Sequence, residues 1–335
     1  MCTKMLIPLT KHVLFFRIVR QHRSGTHLTV FIVLCVVLSM WSVVSFINVY
    51  SIKEHDYLVL DNNKEENCDK GIYNPKLCKS ECWKGSPWKI PSVIVQPNCP
   101  KSNDLEVLIY IYSKTFNFGN RKATRKAYKY HFEHQANVGL VFIIAKQDAA
   151  KIMDDFLHRE IEENRDILQL DYIEDYKQLA YKGMGIFEWT KKCGKNLKIL
   201  IKGDDDSRGL FGMVRVLLEQ SKALDVTFND HVYCLSSYKD IIVHEKKHKS
   251  RWEVSKSEYP GQYFPMYCSG NGATIIPKRV ALQLLEASKS TKIFKIDDVY
   301  ISGLLRHRAC VGIKDLKTWT FRIKYFCYYK YGILI

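Results

Sequence analysis

Three consecutive carboxylates, Asp204, Asp205 and Asp206, follow the short apolar run at 198–202 (KILIK). Adjacent acids repel one another, and oxygen ligands of this kind suit Mg²⁺ or Mn²⁺ bridged to the phosphates of a substrate. Alternate residues of an extended segment point the same way, so Asp204 and Asp206 are expected to share a face while Asp205 looks elsewhere. An exposed acidic turn would use the same residues. The preceding strand argues for a site, because ligands of an open α/β sheet bind beyond the carboxyl ends of its strands. A second acidic pair, Asp297 and Asp298, stands at the mouth of a predicted helix over 299–307. Carboxylates there can simply cap the helix dipole. A carboxylate on a loop separate from metal-bound acids is also the base that a transfer onto a hydroxyl requires. The segment 263–272 (YFPMYCSGNG) interleaves aromatic residues with glycines, which makes either a turn-rich connector or a shallow platform on which sugar faces stack.

Those groups need elements to hold them. The stretches 105–112 (LEVLIYIY) and 138–145 (VGLVFIIA) are short apolar runs rich in β-branched and aromatic residues, the pattern of buried parallel strands. A helix is predicted from Asp175 as N-cap, with Tyr176, Leu179, Ala180, Gly183, Phe187 and Thr190 recurring at three- to four-residue intervals. The 198–202 strand follows it, and a further helix spans 278–286. Strand and helix alternating in this way predict a doubly wound α/β sheet. No internal repeat and no Asn-x-Ser/Thr sequon occurs in the chain, so N-glycosylation is not expected.

Residues 28–50 contain no charge, and a helix of that extent reaches about 30 Å, enough to cross a bilayer core. Lys4, Lys11, Arg17, Arg20 and Arg23 precede it without an acid, and the first carboxylate is Glu54. The positive-inside rule then predicts a single-pass anchor with residues 1–27 cytosolic and everything after about residue 51 lumenal. The run is longer than a signal-peptide core and ends without a small-residue cleavage site, which disfavours a cleaved leader. Residues 51–104 read as a lumenal stem and 105–335 as one catalytic domain. Nine cysteines, from Cys68 to Cys327, fall on the lumenal side, where disulfides are expected. Nine is odd, so the count leaves a thiol unpaired or allows a disulfide-linked homodimer. Cys78 and Cys82 have a zinc-like spacing, but no matching pair follows. Setting aside the five basic residues of the tail lowers the net charge from +16 to about +11. Nucleic acid is a poor partner for such a lumenal surface, and the densest basic run, 245–251 (EKKHKSR), has no interleaved aromatics for base stacking. It reads as a solvated loop, with contact to a diphosphate or an acidic glycan as the alternative.

Taken in order, these pieces resemble the β1,3-glycosyltransferases of glycosyltransferase family 31, the group holding β1,3-galactosyltransferases and β1,3-N-acetylglucosaminyltransferases. The resemblance runs from about residue 105 to 307. It rests on Arg121 and Arg125, on 166–172 (DILQLDY), on Asp175, Tyr176, Leu179 and Lys182, and on Trp189 and Cys193. Lys202 to Asp206 (KGDDD), Tyr263, Pro265, Tyr267, Gly270 and Gly272, and 297–300 (DDVY) complete it. Ala127 and Tyr128 depart from the family's Thr-Trp.

The resemblance implies a GT-A fold behind the membrane anchor, in the Golgi, with a UDP-sugar as donor and a glycan or glycoconjugate as acceptor. It further implies Mn²⁺ held chiefly by Asp206 with Asp204 nearby, Asp298 as the favoured base with Asp297 as second candidate, and inversion of the anomeric carbon in one displacement. Asp204, Asp205, Arg121, Arg125 and Lys182 become candidates for nucleotide or phosphate contact, each of the three basic residues having a structural ion pair as its alternative. After the acidic triplet the family's apolar Val-Phe-Val-Asn is replaced by Ser207-Arg208-Gly209-Leu210. That departure suits either altered donor choice or a catalytically silent relative that binds glycans or assists a partner transferase.

Overall fold

The strand β2 (Val107–Tyr112) is buried along its whole length, and its period of two feeds two separate cores. Leu108, Tyr110 and Tyr112 face one layer, while Val107, Ile109 and Ile111 face the other. Each fully buried aliphatic side chain here contributes about 1.5–3 kcal/mol relative to exposure. Both faces of the sheet are therefore covered, as in doubly wound folds. The protein is described from a computed structural model, covering residues 88–98, 105–147, 151–207, 209–223, 227–234, 237–238, 252–259, 264–269 and 273–316. The expected cytosolic tail, membrane anchor and most of the stem lie outside those residues, as do Arg208, the basic run 245–251, Tyr263, Gly270 and Gly272. No helix among the described residues is long and apolar enough to cross a membrane.

Eight strands form one sheet. In chain order they are β1 (Val93–Val95), β2, β3 (Val138–Lys146), β4 (Ile167–Ile173), β5 (Ile199–Asp204), β6 (His231–Cys234), β9 (Thr274–Pro277) and β10 (Gly312–Asp315). The short pair β7 (Ser237–Tyr238) and β8 (Tyr267–Cys268) stands apart. The spatial order is β1-β4-β3-β2-β5-β9-β6-β10. Strands β4, β3, β2 and β5 run parallel. Strand β9 is antiparallel to both β5 and β6, and β1 is antiparallel to β4. The sheet is thus α/β, with the runs at 105–112 and 138–145 paired in parallel as expected, and it is mixed in its other half. Helix α5 (Lys278–Ser288) starts immediately after β9.

Helices α1 (Phe118–Phe132), α2 (Lys151–Asn164) and α4 (Leu210–Ala223) cover one face. Helix α3 (Ala180–Lys192), α5 and a π-helix (Val299–Leu305) cover the other. Asp175 caps a 3₁₀ turn, Tyr176–Gln178, by accepting a bond from the Lys177 amide at 2.9 Å, and α3 begins only after it. The helix expected at 299–307 is instead a π-helix that passes into a helical turn, Arg306–Arg308.

Candidate active site

Strands β2 and β5 lie side by side at the centre of the sheet, with Tyr112 paired to Asp204. From β2 the order runs outward through β3 and β4 on one side and through β5 on the other. This is the switch point at which the crevice of an open α/β sheet forms. The acidic triplet stands at the carboxyl end of β5. A tight turn closes behind Asp204: the Ser207 amide donates to the Asp204 carbonyl at 3.0 Å and the Asp204 amide donates to Ser207 Oγ at 3.3 Å. Gly209 follows with φ of +75°, the left-handed region that glycine enters without steric penalty. A Cβ on Gly203 would come within 2.3 Å of Leu210 Cδ2, so any larger residue there would have to displace the leucine that opens α4. Ser207 and Gly209, the departures from the family pattern, thus make the turn that ends β5 and starts α4.

Asp205 faces α1. Its carboxylate accepts from Ser113 Oγ at 2.6 Å, Asn117 Nδ2 at 3.0 Å and Asn120 Nδ2 at 3.3 Å, beside the positive end of that helix. Asn117 is the α1 N-cap residue but makes no side-chain cap, its amide being spent on Asp205. Asp206 is exposed and Asp204 half-buried. Burial raises the Asp204 carboxyl above its ordinary value; the charges of Asp297, Asp206 and Asp205 add to this, and Lys202 opposes it. Among the described residues no three His, Cys, Asp or Glu side chains are grouped so as to hold a metal by themselves. The surplus of carboxylates around Asp204 is a donor set whose chemistry would suit a divalent cation.

The sequence motif brought Lys202 to notice only as a letter before the triplet. It is 7% exposed, and its ammonium donates to Asp297 Oδ2 and to Asp298 Oδ1, each at 2.6 Å, while lying 4.7 Å from the centre of the Tyr112 ring. Burial alone would lower the Lys202 pKa, but the two carboxylates outweigh it and hold it well above the usual lysine range. One ammonium cannot neutralise two acids. Burial, with the charge of Asp297 and then Asp204 added, pushes Asp298 up to about 7 against the pull of Lys202.

Asp298 is fixed from behind. Ser302 Oγ donates to the Asp298 carbonyl at 2.6 Å and accepts from the Cys268 amide at 2.8 Å. The buried guanidinium of Arg306 donates to the carbonyls of Ser302, Val311 and Met266. A disulfide joins Cys268 to Cys234, so the strand end of β6, β8 and the π-helix are one linked unit; Cys193 and Cys310 are also disulfide-bonded. Trp88 Nε1 donates to Tyr300 Oη at 3.1 Å on the far side of the π-helix. Of the expected aromatic platform, Phe264 is buried in a cluster with Tyr259 and Phe294, which is core packing.

Arg121, Arg125 and Lys182 each meet a carboxylate. Arg121 is fully buried and donates to both Glu160 oxygens, to Ser113 Oγ and to the carbonyls of Lys114 and Thr115. Arg125 donates to Glu160 and, through two nitrogens, to Asp166. Their donors are directed at protein acceptors, the ion-pair arrangement left open as the alternative to phosphate contact. Lys182, 1% exposed, donates to Glu174 Oε1 at 2.7 Å and to the Ser113 carbonyl at 2.8 Å, and burial lowers its pKa despite Glu174. It therefore braces the turn after β2 from below. Glu160, Glu174, Ser113 and Ser302 carry no local signature in the sequence: Glu160 and Ser113 meet Arg121 and Asp205 across 39 and 92 positions, and Ser302 ties the Asp298 carbonyl to an amide 34 positions earlier.

A protein-family model described as Galactosyltransferase matches residues 119–317, which takes in Arg121, Arg125, Lys182, Lys202, the acidic triplet, Asp297 and Asp298. The chain belongs to the Galactosyltransferase family. Among its relatives, beta-1,3-galactosyltransferase 5 of Mus musculus is 29% identical over 199 residues, covering 59% of this chain and 62% of that one. N-acetyllactosaminide beta-1,3-N-acetylglucosaminyltransferase 2 of Mus musculus is 26% identical over 245 residues, covering 69% of this chain and 58% of that one. The match thus spans about three-fifths of the length of these curated relatives. Among solved structures, the mannosyltransferase Ktr4p from S. cerevisiae aligns at 8% identity with a TM-score of 0.30, covering 72% of this chain and 73% of that one. The Galactosyltransferase match carries the resemblance first met in the motifs: this is a β1,3-glycosyltransferase family member with a mixed α/β sheet.

Proposed function

We propose that this family member is a metal-dependent inverting glycosyltransferase, moving galactose or N-acetylglucosamine from a UDP-sugar in β1,3 linkage onto a glycan acceptor. The observation that carries the reading is the shared ammonium of Lys202, which holds Asp297 and Asp298 together near the strand end that bears the acidic triplet. In this reading Asp298 takes the proton of an acceptor hydroxyl, whose oxygen forms the new bond to the anomeric carbon as the bond to the diphosphate breaks. The electron pair of that bond leaves with UDP, and the configuration inverts from α to β. A carboxyl with a pKa near 7 is well matched to this proton transfer at neutral pH. Asp206, with Asp204 beside it, would hold Mn²⁺, the carboxylate oxygens being ligands that suit this ion. When bound, that ion supplies positive charge against the developing charge on the diphosphate. Asp205 organises the start of α1 under the nucleotide side of the crevice. The charge-free run 28–50, behind five basic residues, supports a single-pass anchor with this domain in the lumen, and the family resemblance is what makes the Golgi the proposed compartment.

The test is UDP release by the full-length chain in detergent, with a panel of UDP-sugars and simple glycosides, in Mn²⁺ or chelator, beside Asp206→Ala. Metal-dependent turnover with one donor, lost in the variant, supports the reading and names the sugar. UDP binding without turnover on any acceptor would instead favour a glycan-binding relative, the alternative raised by the Ser207-Arg208-Gly209 departure. No UDP binding sinks the enzyme reading.

A further inference from the structure

Strand β2 ends on a tyrosine that reaches both halves of the candidate site. The main chain of Tyr112 pairs in register with Asp204, and its carbonyl accepts from the Asp205 amide at 3.1 Å. Its side chain is buried in the layer of α3 and the π-helix, where the ring centre lies 4.7 Å from the buried ammonium of Lys202. One residue thus meets the acidic triplet with its backbone and the cation of the Asp297 and Asp298 pair with its ring.

An ammonium has three N–H donors. Lys202 directs two of them to Asp297 Oδ2 and Asp298 Oδ1, each at 2.6 Å, and no third acceptor meets it among the described residues. The negative face of the Tyr112 ring takes that place, and a cation is drawn to such a face most strongly when both are out of water. The charge of Asp204 also pulls on this ammonium, so two hydrogen bonds leave a third carboxylate competing for it. The ring gives it a seat that the competitor lacks. That seat is itself held in place. Tyr110 packs beside Tyr112 with ring centroids 6.0 Å apart. Gly183 of α3 makes room for the far end of the ring, since a Cβ there would come within 2.7 Å of Tyr112 Oη and 2.4 Å of Ile301 Cδ1. Tyr112 Oη is buried and has no hydrogen-bond partner among the described residues, so what this side chain offers the site is its ring. Of the Asp298 carboxylate, Oδ1 is taken by Lys202, and Oδ2 accepts no hydrogen bond among the described residues.

We propose that Tyr112 is a positioning residue for the transfer: the face of its ring, and not its hydroxyl, seats the Lys202 ammonium on Asp297 and Asp298, which keeps Asp298 Oδ2 as the oxygen that takes the acceptor proton. The inference rests on the glycosyltransferase reading above and goes beyond it. Tyr112 touches neither sugar. It acts through Lys202, so its removal slows the transfer step and leaves the binding of donor and acceptor in place.

The test uses the full-length chain in detergent, with the donor and acceptor that give the highest wild-type rate. Turnover, acceptor KM and UDP affinity are measured for Tyr112→Phe, for Tyr112→Leu, and for a series in which position 112 carries phenylalanine with one, two or three ring fluorines. Each fluorine withdraws charge from the ring face while nearly preserving its shape. Tyr112→Phe should stay within about threefold of the wild type, and kcat should then fall stepwise with each fluorine, to about tenfold below Tyr112→Phe at three. Acceptor KM and UDP affinity should hold throughout, which also certifies folding. Tyr112→Leu should lose at least as much kcat; because it also empties part of the core, the fluorine series decides. A kcat that is flat along the series in an active enzyme overturns the positioning role. So does a Tyr112→Phe that binds UDP normally yet is as slow as Tyr112→Leu, which would give the work to the hydroxyl. UDP affinity falling in step with kcat overturns it in favour of a packing role. A wild type that turns over no donor overturns the glycosyltransferase reading and the positioning role together.

Discussion

Two buried charge clusters flank strand β2, and they are built on opposite plans. Beside α1, Arg121 and Arg125 face Glu160 and Asp166, two cations against two anions with the arginine forks filled. There burial tends to raise Glu160, but hydrogen bonds from Arg121 and Arg125 outweigh it and hold the carboxyl below its ordinary value. At the carboxyl end of β5, one ammonium, Lys202, faces both Asp297 and Asp298, with Asp204 close enough to add its field. There the surplus negative charge leaves Asp298 raised to about 7. Buried charge that is balanced locks the fold, whereas buried charge left in surplus stays ready to take up a proton or a cation.

The largest effect that tests this contrast is Asp298→Asn. It removes the base without changing shape, so turnover should fall about 10²- to 10⁴-fold, with a thermal midpoint no lower than wild type. A midpoint that collapses with activity would mean the pair is structural after all. Next is Glu160→Ala, which takes the carboxylate partner from the fully buried Arg121 and leaves Arg125 with Asp166 alone; it should cost about 3–5 kcal/mol, or roughly 10 °C in the melting midpoint. UDP affinity measured below that midpoint should hold. Selective loss of UDP affinity with an unchanged melt would move Arg121 and Arg125 into the donor site.

A subtler discrimination comes from pH. Asp298 must be ionised to accept a proton, so kcat should rise as pH rises through about 7 and level off above it. In Lys202→Met the opposing charge is gone, and the inflection should move to higher pH along with a lower plateau. An inflection that stays put would show that Lys202 does not set the state of the base. The smallest effect expected is for Ser302→Ala. Losing the bridge between the Cys268 amide and the Asp298 carbonyl should cost about 1–2 kcal/mol of stability, read as a small drop in the midpoint and a modest drop in kcat with acceptor KM retained.

The sequence displayed the local parts of this arrangement more readily than the long-range ones. Strands β2, β3 and β5 stood out because their apolar runs are uninterrupted, and the three acids stood out because such a cluster needs a cation or a partner. The expectation that Asp205 would turn away agrees with its bonds to Ser113, Asn117 and Asn120. Strand β9 was invisible, since four residues (TIIP) carry no period that separates them from the helix they precede. Lys202 read as the end of a strand because its partners lie 95 and 96 positions later. Arg121 finds Glu160 39 positions away, a pairing that neither periodicity nor local propensity records. A signal was present in one case: a lysine on the inward-facing side of an otherwise apolar strand must meet a carboxylate.

The π-helix that follows Asp298 sets a rule about length. A wider turn leaves main-chain carbonyls offset from the amides that an α-helix would bring to them, and here two side chains, Ser302 and Arg306, reach the carbonyls four residues back. The base, the hydroxyl latch and the guanidinium brace are thus spaced by counting, at 298, 302 and 306. Deleting one residue between the first two would swing everything downstream by roughly a quarter turn around the helix axis and turn the latch away from Cys268. Every residue of this π-helix is buried, and its number of residues is fixed by the reach of one serine.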